Sequence, residues 1–461
     1  MTSILCAVWV DVIRDPIYNY IEISEMERKI IDHPLFQRLR YLRQLHTAHY
    51  TYPSALHSRF AHSLGVMHIA GIFAEHLLKK YIETYNISNI LSIFPKEYQE
   101  CRSMDRLSID MLIQATRIAA LLHDIGHGPF SHAFDNIVFK SILLDDIELN
   151  HEVWGFLLVF SSDILESVGE IVRDLVLLLI MPIFFDEEEA NTFKKIVEKL
   201  IDDGWRKKWF DTFNEYFNGV NFRLNWRIGY LLRYTFKGFP WCADIIDYVL
   251  RDSYFSGTIE YGWIDWLRLI KYSAIVKSRD SADMPDVIGI DARAKEAILN
   301  FLMARYFMFS AVYLHRTTLR HEFILNKLLE KYARIFNISE KIRSMLQGSR
   351  ETLLEFIYGD WLTMFTDESF LTYIESELWR RISEVLKNKN AKQLNDDVSS
   401  LYEALWYIFS LRYRLRIYNY VTELDFFYNS TPTPPSIQKE RFHPFEVYTC
   451  TDDTKFYVFI P

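Results

Sequence analysis

The spacing of apolar residues changes at Glu25. Before it, residues 4–23 read as short extended segments meeting at a turn around Asp15-Pro16. After it, Ile30, Ile31, Phe36, Leu39, Leu42 and Leu45 recur at helical steps. A second helix is predicted from Ser58, as its N-cap, to about Tyr81. A third runs from about Ile109 to Ile125 and stops where Gly126, Gly128 and Pro129 make continuation costly. Further helices are predicted over 243–254, 291–336, 340–357 and 370–417. Residues 82–108 and 186–238 read as helical insertions. Thr431–Ser436 carries three of the 13 prolines and predicts a stiff linker. Phe445–Cys450 and Lys455–Ile460 flank Thr451–Thr454 as a β-hairpin. No internal repeat interrupts the pattern. The expectation is a mainly α protein with small β elements near the N-terminus and a C-terminal β-hairpin. It divides into a core over 1–336 and a C-terminal helical region over 337–461.

Composition narrows the class. With 461 residues, half of them apolar, the chain can fill a sizeable core and is not a disordered one. Only 15 residues are glycine, and neither a dinucleotide-binding nor a P-loop glycine pattern occurs. The net charge of −9 argues against whole-surface attraction to nucleic acid or an anionic membrane. It leaves room for an anionic substrate in an arginine-lined cleft. The four cysteines, Cys6, Cys101, Cys242 and Cys450, form no C-x-x-C pair. The first ten residues lack a basic n-region, and the longest apolar run, Leu175–Phe185, has eleven residues. A cytoplasmic location is the expectation.

Candidate chemistry concentrates in Ala119-Ala-Leu-Leu-His-Asp-Ile-Gly-His-Gly-Pro-Phe-Ser-His132. His123 and Asp124 stand side by side near a helix end, and His127 follows four residues later on the same face. An imidazole beside a carboxylate suits a divalent transition metal. In Ala55–His62, Arg59 and His62 lie three apart at a helix start, where a ligand and a cation can hold a metal and a phosphate oxygen together. In Cys242–Asp252, Asp244, Tyr248 and Asp252 form a stripe about 12 Å long, the scale of a nucleotide lying from metal to sugar.

The order His62, His123-Asp124, Asp244 resembles the signature of the HD-domain metal phosphohydrolases. The segments Ile31–Arg40, Arg43–Leu45, Ser58–Val66, Leu122–His132, His151-Glu152 and Asp247–Asp252 are similar to its deoxynucleoside triphosphate triphosphohydrolase branch. The resemblance covers about residues 10–330. It implies a divalent ion (Mn, Fe, Mg, Zn or Ni) held by His62, His123, Asp124 and Asp244. It implies phosphate contacts from Arg59, and His127, His132 and His151 along the triphosphate path, oriented by Asp135 and Glu152. His132 or His151 would protonate the leaving oxygen. Gln44, Leu45, Tyr248 and Asp252 would contact the sugar.

Ile245 departs from the pattern, standing where relatives carry a cation, and Ala61 replaces an acidic residue. Arg305, His315, Arg316 and Arg320 are candidates to supply the missing positive charge. Asp11 stands where a lysine would help bind an activating nucleotide, so activation is an open expectation. Relatives of this kind imply a homo-oligomer, a dimer or tetramer. The expected activity is hydrolysis of deoxynucleoside triphosphates to deoxynucleoside and tripolyphosphate. The alternatives are another phosphate-ester hydrolysis within the family, or a nucleotide sensor without turnover.

Overall fold

The computed structural model describes residues 9–99, 108–144, 147–184, 186–276, 286–387, 394–413, 445–449 and 455–459. Strand β1 (Trp9–Asp15) pairs antiparallel with β2 (Asn19–Ser24) across the Asp15-Pro16 turn. Asn19 takes the left-handed conformation there, at φ 65°, which asparagine tolerates better than most side chains. Ser24 and Glu27 then form a reciprocal capping box that starts α1 (Glu25–Ile31) directly after the strand.

Helix α2 (Arg59–Tyr85) starts on the Ser58 cap and ends at Asn86 in the left-handed region. It runs four residues past the expected end at Tyr81. Leu64, Val66, Met67, Ile69, Phe73 and Leu77 are all buried, as befits the central helix of the core. Around it lie α3 (Ile109–Leu122), α4 (His132–Ile137), α5 (His151–Ser161), α6 (Glu170–Ile180), α7 (Arg227–Phe236) and α8 (Ala243–Ser256). Helix α2 packs against α3, α7 and α8, and α3 packs on α6. Two glycines permit close approaches at the site. A Cβ on Gly65 would lie 1.8 Å from Asp247 Oδ1, and one on Gly126 would lie 2.1 Å from His151 O. Any side chain at either position would push α8 off α2, or α5 off the loop after α3.

The single helix expected over 291–336 is instead α9 (Lys295–Met308), a π-turn over Phe309–Tyr313, and α10 (Arg316–Phe336), with a bend of 63°. The break has a local cause: His315 is extended and its ring accepts from Thr317 N–H, capping a new helix. Likewise 370–417 divides into α11 (Asp367–Lys387) and α12 (Leu394–Tyr413). Ser349 caps a fresh helix inside 340–357. Two short strand pairs, Leu143–Leu144 with Ile147–Glu148 and Ser273–Val276 with Val287–Ile290, carry no clear signal in the sequence pattern.

The fold is mainly helical with small antiparallel strand pairs. It divides into compact units at Met1–Arg412 and Tyr413–Pro461, whereas the sequence pattern placed a boundary at residue 336. The second unit contains the expected hairpin, Phe445–Thr449 against Lys455–Phe459. The proline stretch 431–436 lies outside the described residues. Among those residues, no single helix is long and apolar enough to cross a membrane.

Candidate metal centre

Helices α2 and α8 and the end of α3 bring His62, His123 and Asp244 within ligand reach of one another, with Asp124 beside them. His62 Nε2 is 3.1 Å from Asp244 Oδ1 and 3.8 Å from Asp124 Oδ2. His123 Nε2 is 3.2 Å from Asp124 Oδ1 and 3.9 Å from Asp244 Oδ1. The donors are two imidazole nitrogens and two carboxylates, a set that suits a divalent transition metal.

The groups behind the imidazoles fix which nitrogen faces inward. His62 Nδ1 lies 2.8 Å from Asp247 Oδ2, and His123 Nδ1 lies 2.7 Å from the carbonyl of Ala120. Each acceptor takes the Nδ1 proton and turns Nε2 toward the cluster, where a bound cation would take the place of the Nε2 proton that His62 shares with Asp244. His123 Nε2 is buried and has no hydrogen-bond partner. That arrangement costs free energy unless something else occupies the lone pair. Burial pushes the His62 imidazole down, but its bonds to Asp244 and Asp247 outweigh this and hold its pKa up to about 10. The pocket therefore favours positive charge strongly. The residues present fit a divalent cation.

A second cluster adjoins the first through Asp124, whose Oδ1 is also 3.4 Å from His127 Nε2. Asp135 Oδ2 lies 2.7 Å from His151 Nδ1, 3.3 Å from His127 Nδ1 and 3.8 Å from His132 Nδ1. The rings of His127 and His151 stack at 3.9 Å. Burial lowers both of these imidazoles to a pKa of about 3; the Arg59 cation adds to this at His127 and the Lys237 cation at His151. They are neutral at physiological pH. Arg59 links the clusters: its Nε donates to Ser131 Oγ at 2.6 Å and its Nη1 pairs with Asp124.

Residues 59–198 match the HD domain family model. This segment of the chain is an HD domain. The matched span of the HD domain holds Arg59, His62, His123, Asp124 and the imidazole cluster, while Asp244 comes from beyond it. An uncharacterized protein of Methanocaldococcus jannaschii is 28% identical over 409 residues, 86% of this chain and 68% of that one. An uncharacterized protein of Bacillus subtilis is 25% identical, with 69% of this chain and 55% of that one covered. The deoxynucleoside triphosphate triphosphohydrolase SAMHD1 of Bos taurus is 40% identical over 141 residues, 31% of this chain and 20% of that one. The chain thus spans about two thirds, half and a fifth of these relatives. A crystal structure of a phosphohydrolase from Bacteroides thetaiotaomicron aligns with a TM-score of 0.49 and 22% identity, over 86% of this chain and 77% of that one.

Other expected residues sit differently. Glu152 bonds no imidazole. It pairs with Lys237 at 3.0 Å and Arg233 at 3.5 Å, and Lys237 foremost holds its carboxyl down at about 2. Asp252 is 2% exposed, with Oδ1 2.8 Å from His57 Nε2 and Oδ2 accepting from the Tyr313 hydroxyl at 2.6 Å. Its carboxylate is committed inside the protein rather than open to a sugar. Tyr248 is half-buried beside Tyr313 and accepts from Arg305. Gln44 and Leu45 are half-buried, and Gln44 Oε1 is shielded without a partner. Arg316 and Arg320 are exposed on α10, and His315 serves as its cap.

Sequence reasoning missed Lys237, whose Nζ is 3.5 Å from His151 Nε2. It supplies a cation at the cluster although position 245 is isoleucine. Nothing in Phe236-Lys237-Gly238 sets it apart from a surface lysine. Asp247 was detectable in principle, since it lies three residues after Asp244 on the same helix.

Proposed function

We propose that this chain hydrolyses deoxynucleoside triphosphates to deoxynucleoside and tripolyphosphate. The observation that carries the reading is the shared Asp124. It joins an N,N,O,O donor set to an arginine-flanked histidine cluster, so a water-activating centre and a polyphosphate path adjoin. The identity to SAMHD1 over 141 residues supports the substrate class. The same identity motivates testing a nucleotide activator and a homo-oligomeric assembly, a dimer or tetramer. GTP dependence reads the first and sedimentation velocity the second.

His62, His123, Asp124 and Asp244 would hold a divalent ion, which when bound lowers the pKa of a water and draws charge from a phosphoryl oxygen. Arg59 presents its fork to the phosphates from a site fixed by Ser131. His127 and Lys237 line the triphosphate path. In the net reaction the water oxygen bonds to the α-phosphorus and the bond from that phosphorus to the 5′-oxygen breaks. Bound triphosphate brings negative charge that raises the imidazoles beside it, and a proton reaches the 5′-oxygen from His132 or His151, the members of the cluster nearest solvent. At the sugar end Tyr248 packs against the 2′ position, and Gln44 Oε1 accepts from a sugar hydroxyl. Asp252 acts behind them by fixing Tyr313 and His57.

Hydrolysis in H₂¹⁸O tests the bond cleaved. One ¹⁸O in tripolyphosphate supports attack at the α-phosphorus. Label in the nucleoside hydroxyl contradicts it.

A further inference from the structure

The loop between His127 and His132 is held by two buried ionisable side chains, Asp367 and Arg38, that bond its backbone. Phe130 and Ser131 occupy it at φ 58° and 54°, a conformation that side chains other than asparagine and aspartate seldom adopt. Asp367, 1% exposed, accepts from Phe130 N–H through Oδ1 at 2.8 Å, across 237 residues of chain. Its Oδ2 accepts from Arg43 N–H at 2.9 Å. Arg38, 2% exposed, donates to the carbonyls of His127 at 2.6 Å, Ile125 at 3.2 Å and Phe365 at 2.6 Å. Its guanidinium lies 4.4 Å from the ring of Trp361. Neither residue forms an ion pair among the described residues. Burying a charge is costly unless its polar atoms are well used. Here both Asp367 oxygens and both Arg38 Nη atoms are used on backbone groups of a single loop and the segments beside it, and Arg38 Nε is left without a partner.

The consequence runs straight into the site. Ser131 receives Arg59 Nε, and Arg59 in turn pairs with Asp124. His127, whose carbonyl Arg38 holds, faces the same carboxylate. We infer that Asp367 and Arg38 are positioning residues: they lock the Ile125–Ser131 loop so that Ser131 orients Arg59 and His127 faces Asp124. The segment Phe365–Asp367, far along the chain, thereby becomes part of the site. This rests on the hydrolase reading above for its effect on turnover, but the clamp itself can be read without it.

The test uses the full chain and Asp367→Asn, which keeps the size but replaces one accepting oxygen with an amide that cannot accept an N–H. Hydrogen exchange should rise at least tenfold in the peptide carrying Phe130 and Ser131. Mn²⁺ affinity, measured by calorimetry, should stay within about threefold. With a dNTP, kcat should fall roughly 10- to 100-fold with little change in KM. The double variant Arg59→Ala/Asp367→Asn should be no slower than Arg59→Ala alone, because Asp367 acts through Arg59. Unchanged exchange in the loop, or additive losses in the double variant, would overturn the inference. If Asp367→Asn fails to fold, Arg38→Lys, which keeps the charge but loses the fork, decides by the same readouts. If the unmodified chain turns over no dNTP, the substrate reading fails, while the exchange result still judges the clamp.

Discussion

Asp247 accepts from three directions: the ring of His62 at 2.8 Å, the hydroxyl of Tyr18 at 2.7 Å and the guanidinium of Arg251 at 2.9 Å. Arg251 also reaches Asp15 at the first turn of the chain. Removing a carboxylate that holds a ligating imidazole typically costs 10- to 100-fold in metal affinity. Asp247→Asn should therefore weaken Mn²⁺ binding by about that factor in a calorimetric titration; undiminished affinity would count against His62 as a ligand. Asp174 offers a separate prediction about stability. Burial raises its carboxyl to about 6, against a Tyr98 hydroxyl bond that lowers it. The folded state therefore binds this proton more tightly than the unfolded chain does. Its stabilising contribution is full below pH 4 and is lost as pH rises through about 6. Asp174→Asn should gain on the unmodified chain by up to roughly 3 kcal/mol between pH 4 and 7 in urea melts. A pH-independent difference would show that the carboxyl is not so shifted. At this scale the sequence named the residues that meet at the centre, because a histidine-aspartate pair in an apolar helix end is chemically conspicuous. It gave Asp247 no role of its own and did not name Lys237 or Asp367, whose roles come from neighbours distant in the chain.

Helix α8 shows how one element sets several distances at once. Asp244 reaches His62, Tyr248 lies beside Tyr313 in the second turn, and Asp252 ends among His57 and Tyr313. The four-residue spacing was legible, and so was the length of the stripe. The engagement of Asp252 was not, since Tyr313 belongs to a π-turn whose existence no periodicity reveals. Tyr248→Ala should relax discrimination against ribonucleotides, raising the GTP-to-dGTP ratio of kcat/KM at least tenfold. An unchanged ratio would remove Tyr248 from the sugar contact. Element ends follow the same logic. Ser24 and Ser58 cap as serine is expected to, whereas His315 caps by an unusual side chain, so the bend between α9 and α10 was invisible in the pattern.

For the whole molecule, helical class and the terminal hairpin follow from apolar spacing and turn residues, which are local properties. The tie between the histidine-bearing loop and the Phe365–Asp367 segment is not local. Nothing in the sequence relates Asp367 to Phe130 across 237 positions. The net charge of −9 likewise says little about a site where Arg59 and Lys237 stand beside the imidazoles. The central claim concerns the reaction, and product analysis tests it most directly. The full chain would be incubated with each dNTP and Mn²⁺, with and without GTP, beside Asp124→Ala. Chromatography would follow nucleosides, and ³¹P NMR the phosphorus species. The account predicts deoxynucleoside and tripolyphosphate in equal amounts, absent with Asp124→Ala. Orthophosphate or pyrophosphate as the first product, or saturable nucleotide binding without turnover, would contradict it.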